Sequence, residues 1–224
     1  MKILALDTSS EYCSVALWRD AEIDGRETHA GQRHSELLLE MVDELLRDHA
    51  LRPRDLDGVA FGAGPGSFTG LRIACGVAQG LAFGADLRVV GVSTLLALAE
   101  AAQVVRAVCC LDARMGQVYH AAYERNGEGW ATVHSPDLCA PALAPQLPGS
   151  ASWTGCGGGF KAYGEVLARR YAGRLSDVIA DAWPQARHVA RLAVGEFEQG
   201  RALAAEHAAP VYIRDRVALR SDER

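Results

Sequence analysis

Four kinds of feature are scarce in this chain of 224 residues, and each scarcity excludes a class of function. It has no Cys-x-x-Cys. The six cysteines, at 13, 75, 109, 110, 139 and 156, are expected as small buried hydrophobes in a reducing compartment rather than as disulfides or zinc ligands. There is no excess of positive charge. The formal net charge is −5, which argues against a non-specific nucleic-acid binder and makes any nucleic-acid role local or borrowed from a partner. No apolar run approaches a membrane span, and the opening run Ile3–Leu6 is short and ends in Asp7, unlike a secretory signal. Finally, no lysine follows the glycine-rich stretch at 62–70, so a Walker loop is excluded. The expected setting is the cytoplasm, with no membrane partner.

That glycine-rich stretch is the most informative feature present. Gly62-Ala63-Gly64-Pro65-Gly66-Ser67-Phe68-Thr69-Gly70-Leu71-Arg72 follows the apolar run Val59-Ala60-Phe61 and precedes a helical pattern. A strand entering a glycine loop and then a helix N-terminus presents unpaired N–H groups and a positive dipole end, which suits an anion. The same residues also suit a tight turn with no ligand. A second corner, Asp7-Thr8-Ser9-Ser10, joins two strand-like runs at 3–6 and 13–18. It suits a phosphate or a metal-bound water, and equally an ordinary turn closed by Asx-type bonds.

Along the chain, residues 22–30 suit an edge strand and 35–48 a helix capped by Ser35 or His34. Its stripe Leu38, Met41, Val42 and Leu45 is widened by Leu39 and Leu46. The helix over 69–84 carries small residues at Gly70, Ala74 and Ala78 on one face. Since glycine inside a helix costs about 1 kcal/mol against alanine, another backbone is expected to approach closely, from within the chain or from a second subunit. Further strands are expected at 88–92, 104–111, 118–123 and 130–133, the last two flanking the hairpin signal Asn126-Gly127-Glu128-Gly129. Residues 136–150 are proline-rich and expected as loop. A strand ending at Gly155-Cys156-Gly157-Gly158-Gly159, a helix to about 171, a last helix over 189–205 and an extended tail at 210–214 complete the pattern. Both halves begin with sequential strands and then alternate with helices. The expectation is an α/β protein of two lobes with a pruned second one: residues 1–102, 103–187, and a terminal helix and tail at 188–224 that packs back on the first lobe.

With Asp7-Thr8-Ser9-Ser10 after the first strand and Gly64-Pro65-Gly66-Ser67-Phe68-Thr69-Gly70-Leu71-Arg72 before a helix, the chain resembles the bacterial TsaB (YeaZ) family. Arg33-His34-Ser35-Glu36, Leu111-Asp112-Ala113-Arg114-Met115 with Val118-Tyr119, and Pro210-Val211-Tyr212-Ile213-Arg214 extend the resemblance over essentially the whole length. It implies the actin/Hsp70/sugar-kinase fold, ribonuclease H-like in each lobe. It also implies a role in making N6-threonylcarbamoyladenosine at position 37 of tRNAs that read ANN codons. The implied partners are a catalytic paralogue, TsaD, and a small ATPase, TsaE, with tRNA reached indirectly through the complex.

The paralogue's metal pair, two histidines at i and i+4 on the first helix, is not carried over. Four residues after His34 stands Leu38, and His29 is about 140° round a helix from it. Asp7, Thr8, Ser9, Ser10, Gly64, Gly66, Ser67, Asp112 and Arg114 are the candidates for a degenerate nucleotide or phosphate site. The side chains of Asp112-Ala113-Arg114-Met115 stand where a glycine loop is expected, so the chain is expected to need no cofactor and to have weak or no ATPase activity. Weak binding of ATP or ADP with Mg²⁺ is left open. The broad and small-residue faces of the helices at 35–48 and 69–84 are expected to dock the paralogue, or a second copy when the chain is alone, through His34, Leu38, Met41, Val42, Leu45, Gly70, Ala74, Val77 and Ala78. The competing functions are an ATP-dependent phosphotransferase of the same fold, a peptidase and a homodimeric scaffold unrelated to tRNA. Arg72, Arg114, Arg214 and Arg216 are candidates for anion or RNA contact.

Overall fold

A computed structural model describes residues 1–127 and 129–214. Glu128 and Arg216 lie outside the described residues. The unalternating aliphatic runs form the central strands, because a strand covered on both faces has no wet side. In the first sheet β1 (Lys2–Asp7), β4 (Gly58–Gly64) and β5 (Arg88–Ser93) run parallel. Beside them, β2 (Tyr12–Arg19) and β3 (Glu22–His29) form an antiparallel meander, and the short β11 (Leu203–Ala204) borders β5. The order is β11-β5-β4-β1-β2-β3. The second sheet holds β6 (Arg106–Asp112), β7 (Val118–Asn126), β8 (Gly129–Cys139), β9 (Trp153–Cys156) and β10 (Leu175–Ile179), ordered β10-β9-β6-β7-β8. Five strands in each lobe thus share one plan. The second pairs antiparallel with the first and the third antiparallel with the second in a meander, and the fourth and fifth lie parallel on the first strand's other side. This repeat is the two-lobe, ribonuclease H-like architecture.

Helices α1 (His34–Asp48) and α2 (Phe68–Ala85) cover one face of the first sheet. Leu38, Met41, Val42, Leu45, Ala74, Ala78 and Ala82 pack there on Leu4, Leu6, Val15, Leu17 and Phe61. Two further helices are exchanged between lobes. Helix α3 (Thr94–Ala102) leaves β5 but sets Leu95 and Leu98 against Cys109, Ala121 and Cys156 of the second sheet. Helix α5 (Ala186–Glu198) leaves the second lobe and returns Val189, Ala190 and Ala193 to the opposite face of the first sheet, against Ile3, Ala5, Ala16 and Ala60. Helix α4 (Gly158–Arg170) covers the second sheet's other face, where Trp153, Phe160, Leu167 and Tyr171 pack.

The structure departs from the sequence-based expectation at four places. The second lobe keeps five strands, and its reduction lies in the helices. Where the first lobe has α1, the second has only the single turn Pro141–Leu143 and a proline-rich segment. That segment is tied down by Arg174, which donates to the carbonyls of Leu147, Pro148 and Ala151, and by Arg170 donating to Ala144. Strand β8 runs through Cys139, into the stretch expected as loop, because residues 137–139 continue the pairing with β7. Strand β10 was not anticipated: Leu175-Ser176-Asp177-Val178-Ile179 is short and largely exposed, so it has no aliphatic signature. Helix α5 stops at Glu198, well before 205, because Gln199 is followed by Gly200 at φ 68°.

Candidate functional site

The loops after β1 and β4 in the first lobe meet each other, and residues 211–214 tie them to the loop after β6 in the second. In the first corner Asp7 is buried, and its Oδ1 accepts from the Ser9 amide (3.0 Å) and the Ser9 hydroxyl (2.8 Å). This is the Asx-type turn, one of the two alternatives the sequence left open. Asp7 Oδ2 has no hydrogen-bond partner among the described residues. Burial pushes the carboxyl up to about 6 against the opposing pull of the Ser9 bonds. Thr8 donates from Oγ1 to the Gly70 carbonyl (2.7 Å), and the Ser10 hydroxyl accepts from the Tyr12 amide (3.2 Å).

The glycine loop is occupied by the chain itself. A Cβ at Gly70 would stand 1.9 Å from the Thr8 carbonyl oxygen, and Gly66 lies similarly against the carbonyl of Ser9. Gly64 takes φ 124°, and a Cβ there would be 2.6 Å from the Val211 carbonyl. The Ser67 amide donates to the Ser9 carbonyl (2.8 Å), while its hydroxyl caps α2 by accepting from the Gly70 amide (3.3 Å). The glycines therefore admit the first hairpin and the C-terminal segment, and Ser67 serves as a helix cap rather than a free ligand.

The second corner is built differently. Asp112 Oδ1 accepts from the Arg114 amide (2.8 Å) and the Tyr163 hydroxyl (3.1 Å). Arg114, Met115 and Gly116 all take positive φ (62°, 54° and 71°), and the turn closes through the Ala113 amide on the Gln117 carbonyl. Two non-glycine residues in the left-handed region cost on the order of 1 kcal/mol each. The outcome is a loop that holds Arg114 outward with its side chain 80% exposed, 3.5 Å from Asp112. Met115 is exposed as well.

A strap bridges the two corners. The Val211 amide donates to Ala63 (2.7 Å), Arg72 Nε donates to the Tyr212 hydroxyl (2.8 Å), and Arg214 Nη2 donates to Ala113 (2.9 Å). Beneath it, Pro65, Gly66, Phe68, Tyr119 and Ile213 line a groove of about 30 Å³, room for one or two waters. Among the described residues no group of three or more His, Cys, Asp or Glu side chains is placed to hold a metal ion.

The expected docking side chains need correction. Leu38, Met41, Val42, Leu45, Gly70, Ala74 and Ala78 are buried in the first lobe's own core, and Val77 packs partly against it. His34 opens α1 as a buried residue whose Nε2 has no partner among the described residues. Neither Ser35 nor His34 caps the helix; Arg33 takes the cap position without a side-chain bond. A charge at Leu38 or Ala74 would therefore unfold the lobe instead of merely abolishing pairing. The outer surface of these helices is a different set of residues. Leu39 is 53% and Phe83 76% exposed, and a Cβ at Gly76, Gly80 or Gly84 would meet nothing within 4 Å. The every-fourth-residue spacing of those three glycines was legible in the sequence but hidden behind the more obvious buried stripe.

Residues 28–220 match the family described as TsaD: tRNA N6-adenosine threonylcarbamoyltransferase. The chain is 38% identical to the tRNA threonylcarbamoyladenosine biosynthesis protein TsaB of Escherichia coli K12, covering 97% of this chain and 96% of that protein. It is also 38% identical to the protein of the same name in Haemophilus influenzae, covering 97% and 95%. YeaZ from Pseudomonas aeruginosa superposes with a TM-score of 0.88 at 36% identity, over 94% of this chain and 99% of that one.

Proposed function

This chain belongs to the TsaB (YeaZ) family, and from that premise we propose that it is a subunit for tRNA threonylcarbamoyladenosine biosynthesis, docking a TsaD-like paralogue without performing the transfer itself. The observation that carries the docking role is the outer face of α2. Gly76, Gly80 and Gly84 cost the helix about 1 kcal/mol each relative to alanine, yet nothing in their own lobe requires them. A closely approaching backbone from outside accounts for that cost, and exposed Phe83 beside them supplies apolar area to bury. The paralogue takes this face in the complex, a second copy takes it when the chain is alone, and a TsaE-like ATPase joins the assembly.

The non-catalytic part of the proposal is supported by the cleft. Its first-lobe loop is filled by Thr8, Ser9 and Val211, and its second-lobe loop presents Arg114 and Met115 where a phosphate would need space. No observation favours a phosphotransferase. The chain is proposed to need no nucleotide, and titration with Mg-ATP detects any weak residual binding.

Reconstitution decides the main proposal. Modified tRNA should form with the paralogue, the ATPase and this chain, and should fail when this chain is omitted. Gly80→Glu should abolish co-purification with the paralogue and leave the thermal unfolding of the isolated chain intact. Undiminished pairing of that variant would remove α2's outer face from the interface.

A further inference from the structure

We infer that the strap and the two corners it joins form a direct contact surface for single-stranded RNA, made by Arg72, Tyr212, Arg214 and Arg114 with Phe68. The inference rests on the proposal that the chain works on tRNA, and it adds that this subunit touches the RNA itself. Five residues from three separate segments of the sequence are brought to one edge. The Arg72 guanidinium lies over the Phe68 ring at 3.9 Å and donates to Tyr212, whose ring is 5.4 Å from that of Phe68. Two residues on, Arg214 reaches Ala113 and the Met115 sulfur (3.4 Å), which sets it beside outward-pointing Arg114.

The chemistry of this edge is selective. The described partners of Arg72 and Arg214 are a ring, a hydroxyl, a carbonyl and a thioether, all neutral, so both cations keep their charge available. Among the described residues Arg114 is paired with Asp112 at 3.5 Å, and its side chain is 80% exposed. This is a local cationic edge on a chain of net charge −5. Phe68 and Tyr212 are both exposed apolar rings in the same place. Arginines interleaved with exposed rings match the needs of an unstacked RNA strand, whose phosphates pair with guanidinium and whose bases stack on rings. An acidic peptide would use the charges and leave the rings idle, and a duplex would hide its base faces. The strained turn at Arg114–Gly116 gains a purpose here, because it holds one of the cations outward.

The test uses fluorescence anisotropy with a labelled anticodon stem-loop RNA, on the full chain in complex with its paralogue. The double variant R72A/R114A should raise Kd on the order of ten-fold and lower the slope of log K against log salt by about 0.7 per arginine removed. Tyr212→Ala should weaken binding, and Tyr212→Phe should restore most of it because the stacking face survives. R114A alone alters an exposed side chain, so it reports even if the double variant misfolds. Unchanged Kd and slope in R114A and the double variant would overturn the inference. Equal competition by polyglutamate would overturn it in favour of an acidic protein, and equal binding of blunt RNA duplex would overturn the single-strand assignment. Co-purification with the paralogue is measured alongside. Lost pairing in the unmodified chain would sink the docking proposal, whereas retained pairing with unaltered RNA binding sinks only this inference.

Discussion

The two lobes solve one topological problem in opposite ways. Each sets a glycine-bearing loop after its fourth strand against the end of its first strand. In the first lobe the loops after these two strands are pressed together: Gly70 against Thr8, Gly66 against Ser9, and Asp7 turned inward on its own backbone. In the second lobe the loop after the first strand projects, with Arg114 and Met115 in the left-handed region and exposed. The first-lobe corner is closed by its own backbone, and the second-lobe corner holds side chains out into solvent. The same topology thus yields a sealed corner or a presenting corner, depending on where the glycines and the polar side chains fall.

The sharpest test of that contrast is alanine at a first-lobe glycine. Gly70→Ala places a methyl group 1.9 Å from a backbone oxygen that has no freedom to retreat, and should cost about 4 kcal/mol or more by urea denaturation. Next comes Asp7. Its carboxyl is raised from 3.8 to about 6 by burial, so the native state binds a proton more tightly than the unfolded chain does. That group favours folding most at low pH, and the contribution is lost as pH rises from about 4 to about 6. Asp7→Asn should therefore stabilise the protein at pH 7, by at most about 3 kcal/mol at about 1.4 kcal/mol per unit. The advantage should vanish near pH 4. His120 and His188, both held down near 4 by burial, work in the other direction. Their contribution is lost as pH falls through about 6.5 toward 4, so stability curves of wild type and Asp7→Asn must be compared at each pH.

A smaller effect tests the joint between the lobes. Buried Glu100 on α3 accepts from Arg125 Nη1 (2.9 Å) and Trp130 Nε1 (2.7 Å) of the second lobe, with Arg191 of α5 at 3.8 Å. Glu100→Gln should cost about 2 kcal/mol by thermal unfolding, less than a fully buried pair because both arginines reach solvent. Smallest of all, Gly158→Ala in the second lobe should change stability by less than about 0.5 kcal/mol, since its Cβ meets open space. A loss as large as that of Gly70→Ala in the same urea denaturation would show that Gly158 is packed like its neighbours Gly157 and Gly159, which lie against Cys110, rather than open.

Much of this organisation was legible in the residues. The aliphatic runs located β1, β4, β5 and β6, and the motif residues from Asp7 to Arg214 pointed to the family that the comparisons identify. What escaped was tertiary. Periodicity shows that Leu38 and Ala74 share an apolar face, but not whether that face meets its own sheet or a partner. The same holds for the glycine loop, whose composition suits an anion as well as it suits Ser9 and Thr8. Strand β10 was illegible because an exposed edge strand needs no aliphatic side chains, and the strap's course was illegible because nothing local in Val211–Arg214 says which loops it will touch.

The exchange of α5 has a consequence for biosynthesis. Ile3, Ala5 and Ala60 are synthesised well before Val189, Ala190 and Ala193, whose side chains shelter one flank of their sheet. That sheet must therefore wait, with aliphatic surface uncovered, until α5 has been made. A fragment cut anywhere before residue 186 would inherit that exposed flank and should be recovered as aggregate rather than as an independent half.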